Sequence, residues 1–321
     1  MKQARTSNTG AAAPSLHGRV VARFGKRYIV APALLPDAAP GTQAVPGECD
    51  AIGRGRNQQI VVGDLVLCAL ERELLVIEHV CQRRNLLLRA DADRTQPLAA
   101  NVDQIAIIFA AQPTPQTEFV WRALVAAAVA GIDAVAILNK SDLPDSAAVL
   151  QNAGVVRLGA RLLRVSARSD PAGTRLALEQ QCSERVTLFV GQSGMGKSTL
   201  LNLLIDKDLR TGALSRSGTH GRQTTTVTRW FSYGRQGALI DSPGFHEFGL
   251  EHLSGTQLTR WMPDFAAVRE PCRFADCRHA EEPGCAIRAA VASGAIEGRR
   301  YDFYRKILAQ DPGSTVRSQR T

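Results

Sequence analysis

The stretch Gly191-Gln192-Ser193-Gly194-Met195-Gly196-Lys197-Ser198 constrains this chain more than any other. It fits the pattern G-x-x-x-x-G-K-[ST]. Val186-Thr187-Leu188-Phe189-Val190 before it reads as a buried strand, and Thr199-Leu200-Leu201-Asn202-Leu203-Leu204 after it reads as the opening turns of a helix. The pattern serves close approach. Glycines let successive backbone N–H groups wrap phosphates at a helix N-terminus. Lys197 is then placed to neutralise the β- and γ-phosphates, and the Ser198 hydroxyl to hold Mg²⁺. A glycine-rich turn can match such a pattern by accident, so the weight falls on what accompanies it.

From about Asn101 the chain alternates strands and helices, which implies a mainly parallel sheet covered on both faces. Val102 to Ala110 reads as a strand and Thr117 to Ala130 as a helix with an apolar face. The strand Ala134 to Leu138 ends in Asn139-Lys140-Ser141-Asp142, and Arg161 to Val165 ends in Ser166-Ala167. Beyond the phosphate loop come Thr224 to Tyr233 and then Gly237 to Ile240, which ends in Asp241-Ser242-Pro243-Gly244.

Each of these ends carries chemistry. The Asp142 carboxylate can accept from both N1–H and the 2-amino group of guanine; adenine lacks that pair of donors and would leave a buried carboxylate unpaired. Asn139 would bond the base edge, the Lys140 stem would lie along the base, and Ser166-Ala167 would offer a backbone N–H to the guanine O6. Asp241 would act on Mg²⁺ through water, and the Gly244 N–H on the γ-phosphate. In an ordinary GTPase the phosphate loop comes first. Here the guanine motifs at 139–142 and 166–167 precede it, so the domain is expected to be circularly permuted, with its break just after the second switch.

The flanks read differently. Residues 1–16 lack periodicity and are expected to be a disordered tail. From His17 to about Ala92 short β-rich runs alternate with turns: Gly18 to Phe24, Arg27 to Val30, Gln59 to Val62 and Leu65 to Cys68. They suit a small OB-type barrel, and an SH3-like barrel would give much the same pattern. Near the other end, Cys272-x4-Cys277-x-His279-x5-Cys285 places three thiolates and an imidazole at the spacing of a structural tetrahedral zinc site. Ala286 to Ser293 and Gly298 to Gln310 read as helices, the second carrying Arg299, Arg300, Arg305 and Lys306 interleaved with Tyr301, Phe303 and Tyr304, a mix that suits RNA.

Composition supports this division. A chain of 321 residues exceeds one ordinary core, and a net charge of +9 favours a polyanionic partner. Lys2, Arg5, Arg19, Arg23, Lys26 and Arg27 precede any acid, and Arg54 and Arg56 lie in a glycine-rich loop able to meet a phosphate backbone. No signal peptide is recognisable, and Arg122 and Asp133 interrupt the most apolar stretch, so neither secretion nor membrane insertion is expected. Seven cysteines, three of them clustered, argue against a disulfide framework and for the cytoplasm.

Together these features resemble the ribosome small-subunit-dependent GTPase family (RsgA/YjeQ), over about residues 17–310. Pro97-Leu98-Ala99-Ala100-Asn101-Val102-Asp103-Gln104, Gly191 to Ser198 and Asp241 to Leu250 are close to its pattern. The resemblance implies a multidomain α/β chain: tail 1–16, OB-fold RNA-binding domain 17–92, circularly permuted P-loop GTPase 93–262, and zinc-binding helical module 263–321. It implies GTP/GDP with Mg²⁺ bound by Asn139, Lys140, Ser141, Asp142, Ser166, Ala167, Gly191 to Thr199, Asp241 and Gly244, and one structural Zn²⁺ on Cys272, Cys277, His279 and Cys285. The implied role is late maturation of the small (30S) ribosomal subunit by a monomer that binds its rRNA, with slow hydrolysis stimulated by the subunit.

One departure concerns catalysis. The family's first switch reads Gly-Arg-His-Thr-Thr-Thr, and this chain has Gly221-Arg222-Gln223-Thr224-Thr225-Thr226. Gln223 thus takes the position of the water-orienting His; it can donate and accept but cannot act as a base. Thr225 matches the Mg²⁺-coordinating threonine, beside Ser198 and Asp241, and Lys197 completes the catalytic set. Phe245 stands where other P-loop GTPases carry a water-orienting Gln. The rival reading is a non-catalytic RNA-binding assembly factor that uses GTP only as a conformational ligand. A permuted GTPase acting on the large subunit fits the flanking domains poorly.

Overall fold

Alternating apolar residues wind the first part of the chain into short strands. β1 (Leu16–Phe24), β2 (Arg27–Ala31), β3 (Gln43–Ala44), β4 (Cys49–Gly53), β5 (Leu65–Glu71) and β6 (Leu74–Val80) form a unit that extends to Arg84. β1, β2, β4, β6 and β5 pair in that order, and β5 returns to β1, closing a five-stranded barrel. Bulges at Val20/Ala22 and Leu67/Cys68 bend the two strands that make the closure. Val20, Val30, Ile60, Val66 and Ile77 fill the interior. Gly18 is required there, because a Cβ would lie 2.5 Å from Val30 Cγ1. These coordinates are a computed structural model that describes residues 16–35, 42–54, 59–91, 94–205, 227–243, 247–250 and 252–310. The readings made for residues 1–15, Arg56, Gln223 to Thr226 and Gly244 to His246 lie outside the described residues.

The expected strand Gln59 to Val62 is instead a loop. The buried Asp64 carboxylate accepts from the Val61 N–H at 2.9 Å and from Arg83 at 2.7 and 2.8 Å. It supplies a partner that a ladder would otherwise provide, while Ile60, Val61 and Val62 stay buried. Arg54, read as part of a phosphate-facing loop, is paired with Glu71 and Glu78.

The second unit runs from Asn85. It opens with a hairpin, β7 (Leu86–Asp91) and β8 (Arg94–Ala100), that straddles the boundary expected at 92/93. Then follow β9 (Gln104–Phe109), α1 (Thr117–Val129), β10 (Asp133–Leu138), α2 (Ser146–Ala153), β11 (Arg161–Arg164), α3 (Pro171–Cys182), β12 (Val186–Gly191), α4 (Lys197–Leu204), β13 (Arg229–Tyr233) and β14 (Gly237–Asp241). The sheet order is β11-β10-β9-β12-β14-β13, parallel except for β13. Every residue of β9 and β12 is buried, as continuous apolar runs in a twice-covered sheet should be. The phosphate-loop strand β12 is central, with β9 and β14 as its neighbours. Among the described residues no helix is long and apolar enough to cross a membrane.

The chain ends in α5 (Gly255–Arg260), α6 (Pro263–Ala266), α7 (Ala286–Ala292) and α8 (Gly298–Gln310). α5 starts in a capping box between Ser254 and Gln257. Two of the three aromatic residues of α8 are core, which corrects the RNA-stacking reading for them: Phe303 is 1% exposed and Tyr304 0%, while Tyr301 is half-buried. Arg300 is also buried, bidentate on Asp264 at 2.8 and 2.9 Å, with its guanidinium carbon 4.9 Å from the centre of the Trp121 ring. Trp121 of α1 meets Phe303 edge-on at 5.6 Å and donates to Ala153 O, so α8 is seated on the sheet domain through one indole. Asp264→Ala would strand the buried Arg300 charge and is expected to cost about 3–5 kcal/mol in urea unfolding, whereas Arg300→Met, which removes the charge and keeps the packing, costs less.

Candidate functional site

The C-terminal ends of β10, β11, β12 and β14 lie along one edge of the sheet and carry the four motifs. This is where open α/β sheets bind ligands. The phosphate loop depends on its glycines. Gly191 passes so close to β9 that a Cβ would sit 2.7 Å from Ile108 O. Gly194 and Gly196 have φ of +80° and +93°, left-handed values that favour glycine, and Gly196 is the N-cap of α4. Lys197 Nζ donates to Ser242 O at 2.7 Å and lies 3.7 Å from Asp241. Burial pushes the Lys197 ammonium below its ordinary pKa, against the pull of Asp241. Ser198 and Thr199 are exposed on the first turn of α4. The loop is therefore a backbone cradle at a helix N-terminus with a half-buried cation, an arrangement that fits a polyphosphate.

The guanine motifs are tied to this cradle. Asn139 Nδ2 donates to Met195 O at 3.0 Å, and Asn139 Oδ1 accepts from the Ala167 N–H at 3.3 Å. Lys140, at φ +55°, donates to Gln112 O at 2.6 Å and Gly194 O at 2.9 Å, which lays its stem between the two loops. Ser141 N bonds Val165 O at 3.0 Å. The Ser166 hydroxyl donates to the Asp142 carboxylate and holds it below the usual carboxylate range. Asp142 is exposed and ionised, as an acceptor of two base donors must be. Sequence reasoning missed Ser169, which belongs to no recognisable motif and whose hydroxyl bonds Ser166 Oγ at 2.5 Å; Gln192 of the phosphate loop accepts from the Gln116 N–H at 2.8 Å.

Cys272, Cys277, His279 and Cys285 come together with all four ligand atoms within 4.8 Å of one another. His279 Nδ1 is 3.5 Å from Cys272 Sγ and 3.3 Å from Cys285 Sγ. Zinc bonds of about 2.0–2.3 Å in a tetrahedron place ligand atoms about 3.5–3.8 Å apart, so the donor set fits Zn²⁺ with no position left open. His279 is held at φ +58°, and α8 does part of the holding. Tyr301 donates to His279 O at 2.7 Å, Tyr304 to Arg278 O at 2.6 Å and Arg305 to Ala280 O at 3.0 Å. Tyr301, Tyr304 and Arg305 of the basic-aromatic pattern thus form a clamp on the ligand loop.

Comparison with known proteins agrees with this geometry. The RsgA GTPase family model matches residues 80–251. The small ribosomal subunit biogenesis GTPase RsgA of Paraburkholderia xenovorans is 40% identical over 300 residues, covering 91% of this chain and 92% of that protein. The crystal structure of YjeQ from Thermotoga maritima superimposes with a TM-score of 0.63 at 25% identity, covering 92% of this chain and 98% of that one. YloQ, described as a circularly permuted GTPase, matches in fold with a TM-score of 0.61 at 24% identity, covering 97% and 99% of the two chains. The strand order seen here, with the guanine motifs ahead of the phosphate loop, is the same permutation, and the chain belongs to the RsgA GTPase family.

Proposed function

We propose that this GTPase acts in the cytoplasm on the small ribosomal subunit late in its maturation, binding rRNA and hydrolysing GTP as a monomer. The observation that carries the reading is Asn139, which joins the guanine motif, the Ser166-Ala167 loop and the phosphate loop in one constellation. The relatives named for small-subunit biogenesis supply the partner. Asp142 would select guanine, and Gly191 to Thr199 would wrap the phosphates. Ser198, Asp241 and Thr225 would hold Mg²⁺, which neutralises charge on the phosphates when bound. Lys197 would move from Ser242 O onto the β/γ-phosphates, and Gln223 would orient the attacking water. The four-ligand zinc site would hold the C-terminal module rigid, and the charged barrel would meet rRNA.

Three outcomes test these roles. Asp142→Asn presents a donor where guanine needs an acceptor, so GTP binding weakens and preference shifts toward xanthine nucleotides, as competition binding would read. Equal affinity of the parent for GTP and ATP would defeat the assignment. For hydrolysis, the unassisted rate is expected at about 10⁻⁴–10⁻² s⁻¹, rising about 10²–10³-fold on small subunits. Gln223→Ala should remove most of that rise while GTP affinity stays within a few-fold, and Gln223→His should preserve it. Single-turnover assays with and without subunits separate this from a chain that binds GTP without hydrolysing it. Third, chelation of zinc or Cys277→Ala should expose residues of about 272–310 to protease and leave nucleotide affinity largely intact.

A further inference from the structure

The guanine motif ends in an acid that its own loop does little to orient. Asp142 is exposed, whereas its neighbours are anchored: Ser141 N bonds Val165 O at 3.0 Å, and Lys140 bonds Gln112 O and Gly194 O. An exposed carboxylate samples several rotamers unless a partner selects one. Ser166, at the start of the loop after β11, is that partner: its hydroxyl donates to Asp142 Oδ1.

Ser166 is the fixed side of this contact. It is buried; its N–H donates to Thr174 Oγ1 at 3.2 Å, and its carbonyl accepts from the Asp170 N–H at 2.9 Å. The adjoining Ala167 N–H is on Asn139 Oδ1. These bonds fix the backbone and leave the hydroxyl proton undecided. A serine hydroxyl has one proton and two acceptor positions. Ser169 supplies a donor for each acceptor position of Ser166 Oγ, its hydroxyl at 2.5 Å and its N–H at 3.4 Å. With both donors arriving from Ser169, the Ser166 proton is directed at Asp142. Hydroxyls aligned in this way also polarise one another, which strengthens the last bond of the chain. The effect on the acid is visible. Ser166 above all holds the Asp142 carboxyl below its ordinary range; the Asp142 N–H, the Ser169 hydroxyl and the Arg168 charge add to it, against desolvation.

We propose that Ser169 is a positioning residue for guanine selection. Its hydroxyl directs the Ser166 proton onto Asp142 Oδ1, and this sets the carboxylate so that it meets N1–H and the 2-amino group of the base together. The proposal rests on the reading of Asp142 as the acid that selects guanine. Ser169 acts on that acid and not on the phosphate loop. A nucleotide that makes one hydrogen bond fewer to Asp142 should therefore feel its loss less.

The test measures competition binding of GDP, inosine diphosphate and ADP to the full-length protein with Mg²⁺. Inosine diphosphate lacks the 2-amino group and offers Asp142 one donor where GDP offers two. Ser169→Ala should weaken GDP about fivefold and inosine diphosphate about twofold or less, so the preference between them narrows. Ser169→Thr, which keeps the hydroxyl, should retain the parental preference, and Ser169→Val, which has the shape of threonine without the hydroxyl, should behave as Ser169→Ala does. If Ser169→Ala does not fold, the comparison of Ser169→Thr with Ser169→Val decides. Equal weakening of the two nucleotides marks a general loosening of the turn and would overturn the role. So would a parental preference in Ser169→Ala, or the same preference in Ser169→Thr and Ser169→Val. A parent that binds ADP as tightly as GDP would overturn the reading of Asp142 itself, and this proposal with it.

Discussion

The side-chain amide of Asn139 is the contact on which the nucleotide site depends. One end donates to the phosphate loop at Met195 O, and the other accepts from the Ala167 N–H. Its own N–H bonds Phe109 O at 2.9 Å at the end of the neighbouring strand. A side chain 2% exposed can make such bonds only if the loops arrive within tenths of an ångström, which is why Gly196 cannot carry a Cβ: it would lie 2.2 Å from Asn139 Nδ2. The loop after β10 and the glycine-rich loop after β12 are therefore built as one object, although they derive from segments more than fifty residues apart.

Permutation leaves that object unchanged. The central strands β9 and β12 pair in parallel, with Val190 opposite Ile107, and the order of motifs along the chain does not alter which strand ends share an edge. What permutation changes is where the chain goes next. After β14 it passes Arg122 and the β7–β8 hairpin and enters the C-terminal helices, so the glycine-rich loop and the Cys/His loop lie within a single unit. α1 stands between them, with Gln116 on the phosphate loop and Trp121 under α8.

Much of this was legible because it is local. Continuous apolar runs marked β9, β10 and β12, the four motifs fell at strand ends, and the Cys/His spacing marked a cluster that does assemble. Readings failed where a tertiary partner decided the outcome. Gln59 to Val62 has strand composition, yet Asp64 and Arg83 make it a loop. Tyr301, Phe303 and Tyr304 have the look of a nucleic-acid surface, and only tertiary partners show otherwise: Trp121 for Phe303, and the carbonyls of the Cys/His loop for Tyr301 and Tyr304. Arg122 showed in the sequence only as a charge interrupting an apolar stretch, because its acceptors, Glu247, Phe248 and Gln310, are remote from it in the chain.

The clamp on the Cys/His loop acts through main-chain carbonyls. Tyr301, Tyr304 and Arg305 hold His279, Arg278 and Ala280 by atoms that every residue possesses. The two sides of this contact are therefore unequal in their freedom to drift. The hydroxyls on α8 are held to one identity, whereas the side chains at 278 and 280 can be exchanged without disturbing the grip. Lineages sharing this architecture can thus redecorate the half-buried flank of the Cys/His loop while the four-residue cluster beneath stays the same.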